Sequence, residues 1–191
     1  FFDNFQIAKE VFQNVDDCLS QNLSKLIFDG PLEELTLTEN AQPAIMTVSI
    51  AILEVLKREF GFNVRESSFC AGHSLGEYTA LAATDCLSLS EVALLLKKRG
   101  KSMQNSLPNG KGAMAAIIGL EINEVKKLIA ELSNNLVCEI ANYNSINQIV
   151  ISGDNEAVDL IIDKAKEKKI KAIKLLVSAP FHCKYMLETS Y

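Results

Sequence analysis

The second half of the chain alternates between short apolar runs and amphipathic stretches in an order that few folds share. Four strands are predicted, over 113–120, 137–141, 148–152 and 171–177. Two helices are predicted between them, over 123–132 and after Asp154, because apolar residues recur there every three or four positions. A turn over 142–145 joins the two middle strands. The order β-α-β-β-α-β, within about 65 residues, is that of a ferredoxin-like unit.

The first half of the chain is predicted to be helical around one short apolar run. Helices are predicted over 1–29, 43–60, 75–83 and 88–104. The second of these has Pro43 at its predicted first position and Gly61 just past its end. Its predicted buried face comprises Ile45, Val48, Ile52, Val55 and Leu56. The run 67–71 is predicted to be a buried strand, and Ser88 with Glu91 forms a capping box.

The two halves are separated by a turn-rich break at Ser106-Leu107-Pro108-Asn109-Gly110. We therefore predict an α/β protein of two domains. A large domain comprises 1–110 and returns at 179–191, and the ferredoxin-like small domain, 111–178, is inserted within it.

Composition argues against several classes of protein. The 191 residues carry a net charge of −5 and the pI is about 5.2, which argues against nucleic-acid binding. No apolar run reaches the roughly 18 residues of a membrane span and no signal peptide opens the chain, so we expect neither a membrane protein nor a secreted one. The five cysteines include no Cys-x-x-Cys pair, so neither a zinc site nor a redox motif is predicted, and reduced intracellular thiols are expected.

The segment Gly72-His73-Ser74-Leu75-Gly76 matches Gly-x-Ser-x-Gly between a predicted strand and a predicted helix. In such a turn the serine hydroxyl is pushed outward, and the small flanking residues avoid a backbone clash. Ser74 is therefore a candidate nucleophile, with a plain turn serine as the alternative. The backbone N–H of Leu75, at the helix start, is a candidate oxyanion donor.

A serine nucleophile needs a base, and the chain contains only two histidines, His73 and His182. His73 adjoins Ser74 on a tight turn, where neighbouring side chains rarely face each other. His182 is therefore the candidate base, and a surface or core histidine is the alternative. Asp85 and Asp154 fit the chain order of an orienting carboxylate, but nothing distinguishes them. Cys183 is expected to be a packing or surface thiol.

Arg99 lies on the predicted apolar face of the helix over 88–104. Val92, Leu95, Leu96 and Met103 form that face, while Lys97, Lys98 and Lys101 fall on the other side. A buried arginine requires an anion, and its planar fork suits a carboxylate. The residues alone leave two readings open, a ligand carboxylate or an internal Asp or Glu.

Several further segments join these motifs in a specific order. They are Gln42-Pro43-Ala44, Gly72-His73-Ser74-Leu75-Gly76-Glu77-Tyr78, Lys98-Arg99-Gly100, Gly112-Ala113-Met114-Ala115-Ala116-Ile117, Asn142-Tyr143-Asn144-Ser145, Gln148-x-Val150-x-Ser152-Gly153 and Pro180-Phe181-His182-Cys183. Over nearly its whole length the chain resembles the malonyl-CoA:acyl carrier protein transacylase family. The resemblance implies a hydrolase-like large domain with a parallel sheet, carrying the ferredoxin-like insert.

The resemblance also implies a role for individual residues. Ser74 would be acylated, His182 would be the general base and acid, and Arg99 would pair with the free carboxylate of malonyl. Leu75 N–H would be an oxyanion donor, and the acyl site would be lined by Gln148, Gln42 and Asn142. The implied substrate is malonyl-CoA and the implied partner is acyl carrier protein, with no cofactor, metal, nucleic acid or membrane. A monomer, when complete, is expected in a bacterial cytoplasm or in an organellar matrix or stroma.

The chain departs from the family at both ends. Family members open with a Gly-Gln-Gly-Ser-rich strand and turn and continue past the catalytic histidine, whereas this sequence runs from Phe1 to Tyr191. We therefore expect a fragment that is weakly stable and poorly active. Two other functions stay open, a serine esterase or thioesterase independent of Arg99, and a truncated module that only binds carrier protein.

Overall fold

The computed structural model describes residues 1–106, 110–177 and 179–189, so part of the predicted break, 107–109, lies outside the described residues. The chain forms two compact units, Phe1–Lys101 and Ser102–Tyr191. The division predicted from the sequence, with a boundary after residue 110 and with 179–191 returned to the large domain, stays a prediction.

The first unit is built from helices. They are α1 (Gln6–Leu19), α2 (Leu23–Asp29), α3 (Leu32–Leu35), α4 (Thr38–Phe60), α5 (Gly76–Ala83) and α6 (Leu89–Gln104), the last of which runs past the unit boundary. Ser20 adopts a left-handed conformation and divides the predicted helix 1–29 into two. Buried side chains of α1 pack against α4 and α6 in one core, which includes Phe12, Val15, Met46 and Leu96.

The helix α4 differs from its prediction in both its start and its buried face. It begins at Thr38, five residues before Pro43, and Gln42 Nε2 donates to Thr38 Oγ1 at 2.8 Å within this additional turn. The predicted face is wrong for Ile45, which is 53% exposed, and for Val48 and Ile52, which are also exposed. The helix is apolar on two sides, and the core contacts the side that carries Met46, Ile50, Ala51 and Val55.

The predicted strand at 67–71 is absent. Residues 1–101, all of which the structure describes, contain no strand, and Phe69 is 92% exposed. A strand requires a neighbouring strand for its hydrogen bonds, and this unit offers only helices. None of the described helices is both long enough and apolar enough to cross a membrane.

The second unit contains one four-stranded sheet. Its elements are β1 (Gly112–Ile118), α7 (Ile122–Ala130), β2 (Cys138–Ser145), β3 (Gln148–Asp154), α8 (Asn155–Glu167) and β4 (Lys171–Lys174). The strands lie in the order β2-β3-β1-β4, and every neighbouring pair is antiparallel. This is the predicted order of elements along the chain.

The sheet differs from its prediction in two places. The predicted turn at 142–145 is wrong, because those residues continue β2, and Tyr143 and Ser145 pair with Ile149 and Gln148. The connection is instead the two residues 146–147. The last strand is also shorter than predicted, since it ends at Lys174.

Alternate residues of β1 face opposite sides of the sheet. Ala113, Ala115 and Ile117 pack in a core with α7 and α8 side chains, including Val125 and Ile161. On the other side Met114, Ala116 and Val150 form a small cluster, against which Phe181 packs. The segment that carries His182 is thereby seated on the face of the sheet opposite the two helices.

Candidate active site

Ser74 lies at a tight turn that leads directly into α5. Its φ is +53°, a left-handed conformation that residues other than glycine rarely adopt. The turn is closed by Gly76 N–H, which donates to the His73 carbonyl at 2.9 Å, and by Glu77 N–H, which donates to the Ser74 carbonyl at 3.1 Å. Leu75 is the N-cap of α5, so its amide lies at the positive end of the helix.

Gly72, which precedes this turn, is required for steric reasons. A Cβ atom on Gly72 would lie 1.9 Å from the carbonyl carbon of Gly76 and 2.0 Å from its oxygen. By contrast, a Cβ on Gly76 would meet nothing within 4 Å. The absence of a side chain at Gly72 therefore permits the close backbone approach to Gly76 that forms the turn around Ser74. A side chain at Gly76 would not obstruct this turn.

Arg99 is half-buried on α6 and contacts three residues around this turn. Its Nη2 donates to Ser74 Oγ at 3.1 Å, and its Nη1 donates to Gln42 Oε1. The guanidinium carbon also lies 5.6 Å from the centre of the Tyr78 ring. Across the described part of the chain no carboxylate lies within 4 Å of the guanidinium nitrogens in an ion pair. These contacts therefore do not show an internal salt bridge, which was one of the two interpretations of Arg99.

The predicted apolar and solvent sides of α6 are correct in most positions and wrong in two. Val92, Leu96 and Met103 are buried, as expected from helical spacing. Leu95 is exposed. Lys97, expected on the solvent side, has a side chain only 18% exposed, because the first turn of α4 lies over it. Burial lowers the pKa of Lys97, since desolvation disfavours the charged form.

His182 belongs to the second unit, in an exposed turn with φ +57°. Its segment is attached to the sheet at three points. Lys184 N–H donates to Glu139 Oε2 at 2.8 Å, and Tyr185 OH donates to Asp154 Oδ1 at 2.7 Å. The ring of Pro180 lies so close to Gly112 that a Cβ there would be 2.3 Å from the proline Cγ.

Two residues of the second unit that sequence analysis weighed for the site, Cys183 and Asp154, make hydrogen bonds of their own. Cys183 is buried, its Sγ donates to the Pro180 carbonyl at 3.2 Å, and burial raises the pKa of its thiol. It is therefore a packing thiol. Asp154 is the N-cap of α8, yet its side chain makes no cap bond, since Oδ2 accepts from Val137 N–H at 2.7 Å and Oδ1 accepts from Tyr185 OH.

The remaining candidate residues lie on β2 and β3. Asn142 is half-buried and pairs with Val150, one of the residues on the sheet face where Phe181 packs. Gln148 is exposed at the first position of β3. Their roles at the acyl site stay predictions. The first unit thus brings Ser74, Leu75, Arg99 and Gln42 together, whereas His182, Asn142 and Gln148 belong to the second.

Sequence reasoning missed the contact between Tyr78 and Arg99. Tyr78 is four residues after Ser74, so one helical turn places it near the serine, and this spacing was available as a signal.

Similarity to known proteins bears on the whole chain. The chain is 46% identical over 188 residues to the malonyl CoA-acyl carrier protein transacylase of Bacillus subtilis, which covers 97% of this chain and 58% of that protein. The crystal structure of an acyl-carrier-protein-S-malonyltransferase from Bartonella henselae has a TM-score of 0.89 at 46% identity, over 96% of this chain and 59% of that one.

A malonyl-transacylase in complex with its type II PKS acyl-carrier protein has a TM-score of 0.89 at 37% identity, over 97% of this chain and 59% of that one. The chain thus spans less than two thirds of the length of these relatives. These similarities and the mixed helices and sheet show an α/β fold. The family model described as the acyl transferase domain matches residues 2–189, and with the serine turn above this establishes that the chain belongs to the acyl transferase domain family.

Proposed function

We propose that the chain carries the acyl-enzyme site of a malonyl transferase, which moves malonyl from malonyl-CoA to the phosphopantetheine thiol of acyl carrier protein. The observation that carries this is the hydrogen bond from Arg99 Nη2 to Ser74 Oγ. A malonyl group has its free carboxylate two bonds from its thioester carbonyl. A guanidinium beside the nucleophile therefore lies where that carboxylate arrives, and its planar fork can bind both oxygens.

The proposed reaction uses the roles that the family resemblance implies for Ser74, His182 and Leu75. Ser74 Oγ attacks the thioester carbonyl carbon while His182 takes the hydroxyl proton, and the Leu75 amide donates to the developing oxyanion. Breaking the C–S bond releases the CoA thiolate, which receives the proton from His182. In the second half the carrier thiol gives its proton to His182 and attacks the serine ester, and Ser74 regains its hydrogen. No metal or cofactor is needed, because acid–base groups and donors suffice.

The relatives support this proposal in their names. The Bacillus protein is named for malonyl CoA and acyl carrier protein, and the malonyl-transacylase complex holds an acyl-carrier protein. We propose the same two partners for this chain. We also propose a monomer working in a bacterial cytoplasm or in an organellar matrix or stroma, which the five free cysteines fit.

We infer the fold of each of the two domains in more detail from two observations. The antiparallel order β2-β3-β1-β4 with two helices on one face supports a ferredoxin-like small domain. A cleft of about 610 Å³ between α4, α5 and the segment 67–72 has walls that include Ile45, Leu53, Phe62 and Phe69. Such an exposed apolar surface supports a hydrolase-like parallel sheet that covers it in a protein of the relatives' length.

The test is intact-protein mass spectrometry after brief incubation with malonyl-CoA, with Ser74→Ala as the control. We expect a gain of one malonyl group that the control lacks. Addition of the carrier protein with its phosphopantetheine arm then removes the adduct and transfers it to the carrier. No adduct, either on this chain or on a version extended to the length of the relatives, overturns the proposal.

The fate of the adduct distinguishes an esterase or thioesterase from the proposed transferase. Such an enzyme loses the acyl group to water without carrier and accepts neutral esters independently of Arg99. A module that only binds carrier protein leaves Ser74 unmodified while retaining the carrier. Transfer to the carrier thiol, dependent on Arg99, excludes both.

A further inference from the structure

A second cation of α6, Lys97, is half-buried two residues before Arg99. Lys97 Nζ donates to Asn40 Oδ1 at 2.7 Å and to Gln21 Oε1 at 2.8 Å, and it lies 3.9 Å from a carboxylate oxygen of Glu39. Gln21 Nε2 also donates to Asn40 Oδ1, at 3.0 Å. The ammonium thus holds together the first turn of α4 and the loop between α1 and α2.

The same turn of α4 carries Gln42, which accepts from Arg99. Gln42 is buried, and its Nε2 donates to Thr38 Oγ1, which directs its carbonyl oxygen toward the guanidinium. Asn40 Nδ2 meanwhile donates to the Glu34 carbonyl at 2.8 Å. A displacement of this turn therefore moves the oxygen that orients Arg99.

The two helices also touch through their backbones at this point. A Cβ on Gly100 would lie 2.4 Å from the Cα of Glu39 and 2.7 Å from its nitrogen. The segment 97–100 thus contacts the first turn of α4 through Lys97 on one side, Gly100 in the middle and Arg99 on the other. Three residues of α6 therefore contact the start of α4, and two of them, Lys97 and Arg99, carry a charge.

We propose that Lys97 is a positioning residue for acyl selection: by fixing the first turn of α4 it aims Gln42 at Arg99 and holds the guanidinium beside Ser74. This inference rests on the proposed malonyl transfer. Lys97 donates to Gln21 and Asn40 and not to Ser74, so it acts through Asn40 and Gln42. Its removal weakens preference for a carboxylated acyl group rather than the reactivity of the serine.

The kinetic test compares Lys97→Met with Lys98→Met, a matched control because Lys98 is exposed on the same helix. The rate of Ser74 acylation is measured with malonyl-CoA and with acetyl-CoA by intact mass. We expect Lys97→Met to slow malonyl loading by about tenfold, since small misplacements of binding groups have large effects on rate, and to leave acetyl loading within about twofold. Lys97→Arg restores the malonyl preference. An equal loss for both acyl groups shows a merely structural role and overturns the proposal.

A second measurement does not depend on activity. The chain contains three arginines, Arg58, Arg65 and Arg99, so their side-chain Nε–Hε signals are few in an NMR spectrum, and Arg99→Lys assigns the one of interest. We expect that signal to shift in Lys97→Met and to stay in place in Lys98→Met. If Lys97→Met does not fold, Gln21→Ala, which removes one acceptor, takes its place. An unmoved Arg99 signal overturns the inference even if the chain is acylated. A shifted signal on a chain that malonyl-CoA does not label supports the positioning and contradicts the proposed function instead.

Discussion

The hydroxyl oxygen of Ser74 accepts a hydrogen bond from Arg99 Nη2 at 3.1 Å, across 25 residues of sequence. Because the oxygen is the acceptor in this contact, the serine's own hydrogen points away from the guanidinium. The contact places the guanidinium beside the Ser74 hydroxyl, which under the proposed function is where the malonyl carboxylate binds.

Replacing Arg99 separates a carboxylate-selective transferase from a general esterase. In Arg99→Ala we expect malonyl loading of Ser74 to fall about 10- to 100-fold, the worth of a hydrogen bond to a charged group. Acetyl loading should change little, since acetyl has no carboxylate. Arg99→Lys should recover only part of the malonyl rate, because an ammonium lacks the planar fork. Loading rates are measured by intact mass, and equal losses for both acyl groups would contradict this role.

The two glycines of the serine motif should respond differently to alanine. Gly72→Ala places a Cβ within 2.0 Å of the Gly76 carbonyl, so the turn must open. We expect Ser74 labelling to fall below detection and the melting temperature to drop. Gly76→Ala is the matched control, because its Cβ meets nothing and alanine favours the helix that begins there. A fully labelled Gly72→Ala protein would refute the tight turn.

The cysteines should divide by burial when the folded chain is alkylated at pH 8. Cys70 and Cys86 are exposed and should react within minutes. Cys138 and Cys183 are buried, and burial raises the pKa of the Cys138 thiol to about 12, so both should react only after denaturation. Peptide mass spectrometry reads the sites. Reaction of Cys138 as fast as Cys70 would contradict the packing of the sheet.

Stability of the second unit should fall at alkaline pH through Tyr185. Desolvation, then its hydrogen bond to Asp154, raise the pKa of this phenol from 10.0 to about 12. A group whose folded pKa is raised stabilises the fold fully below its unfolded pKa and loses that contribution as pH rises to the folded value. The loss therefore falls between about pH 10 and pH 12.

Tyr185→Phe tests this directly through thermal melts across that range of pH. The variant should be less stable at pH 9 and should lose stability less steeply above pH 10. Cys138 titrates in the same range in both proteins, so the comparison isolates the phenol. Tyr143→Phe, at an exposed tyrosine, serves as the control and should follow the parent chain. Parallel curves for Tyr185→Phe and the parent would argue against the Asp154 contact.

Local signals in the sequence predicted the features that depend on near neighbours. The capping box is present, since Ser88 N–H donates to Glu91 Oε2 at 2.8 Å and Glu91 N–H to Ser88 Oγ at 3.2 Å. Gly61 ends α4 in the left-handed conformation that its position indicates. Each involves residues within one helical turn, so no distant partner was needed.

Features that depend on distant partners escaped prediction. The asparagines around Tyr143 favour a turn, but pairing with β3 holds them extended. The run 67–71 has the composition of a strand and no strand to pair with among residues 1–101. At the site, helical spacing placed Arg99 on an apolar face, yet its bonds to Ser74 and Gln42 cross 25 and 57 residues. Such contacts are set by packing between helices, and the periodicity of a single helix does not reveal how it packs against another.

The left-handed backbone at Ser74 has a consequence for how the chain can change. A non-glycine residue in that conformation costs about 1 to 3 kcal/mol, so glycine would be more stable than serine at that position. Selection for stability alone would therefore tend to replace Ser74, the side chain that this turn presents. A more thermostable descendant that keeps Ser74 has been selected for activity as well as for stability. One that has lost Ser74 has been selected for stability alone.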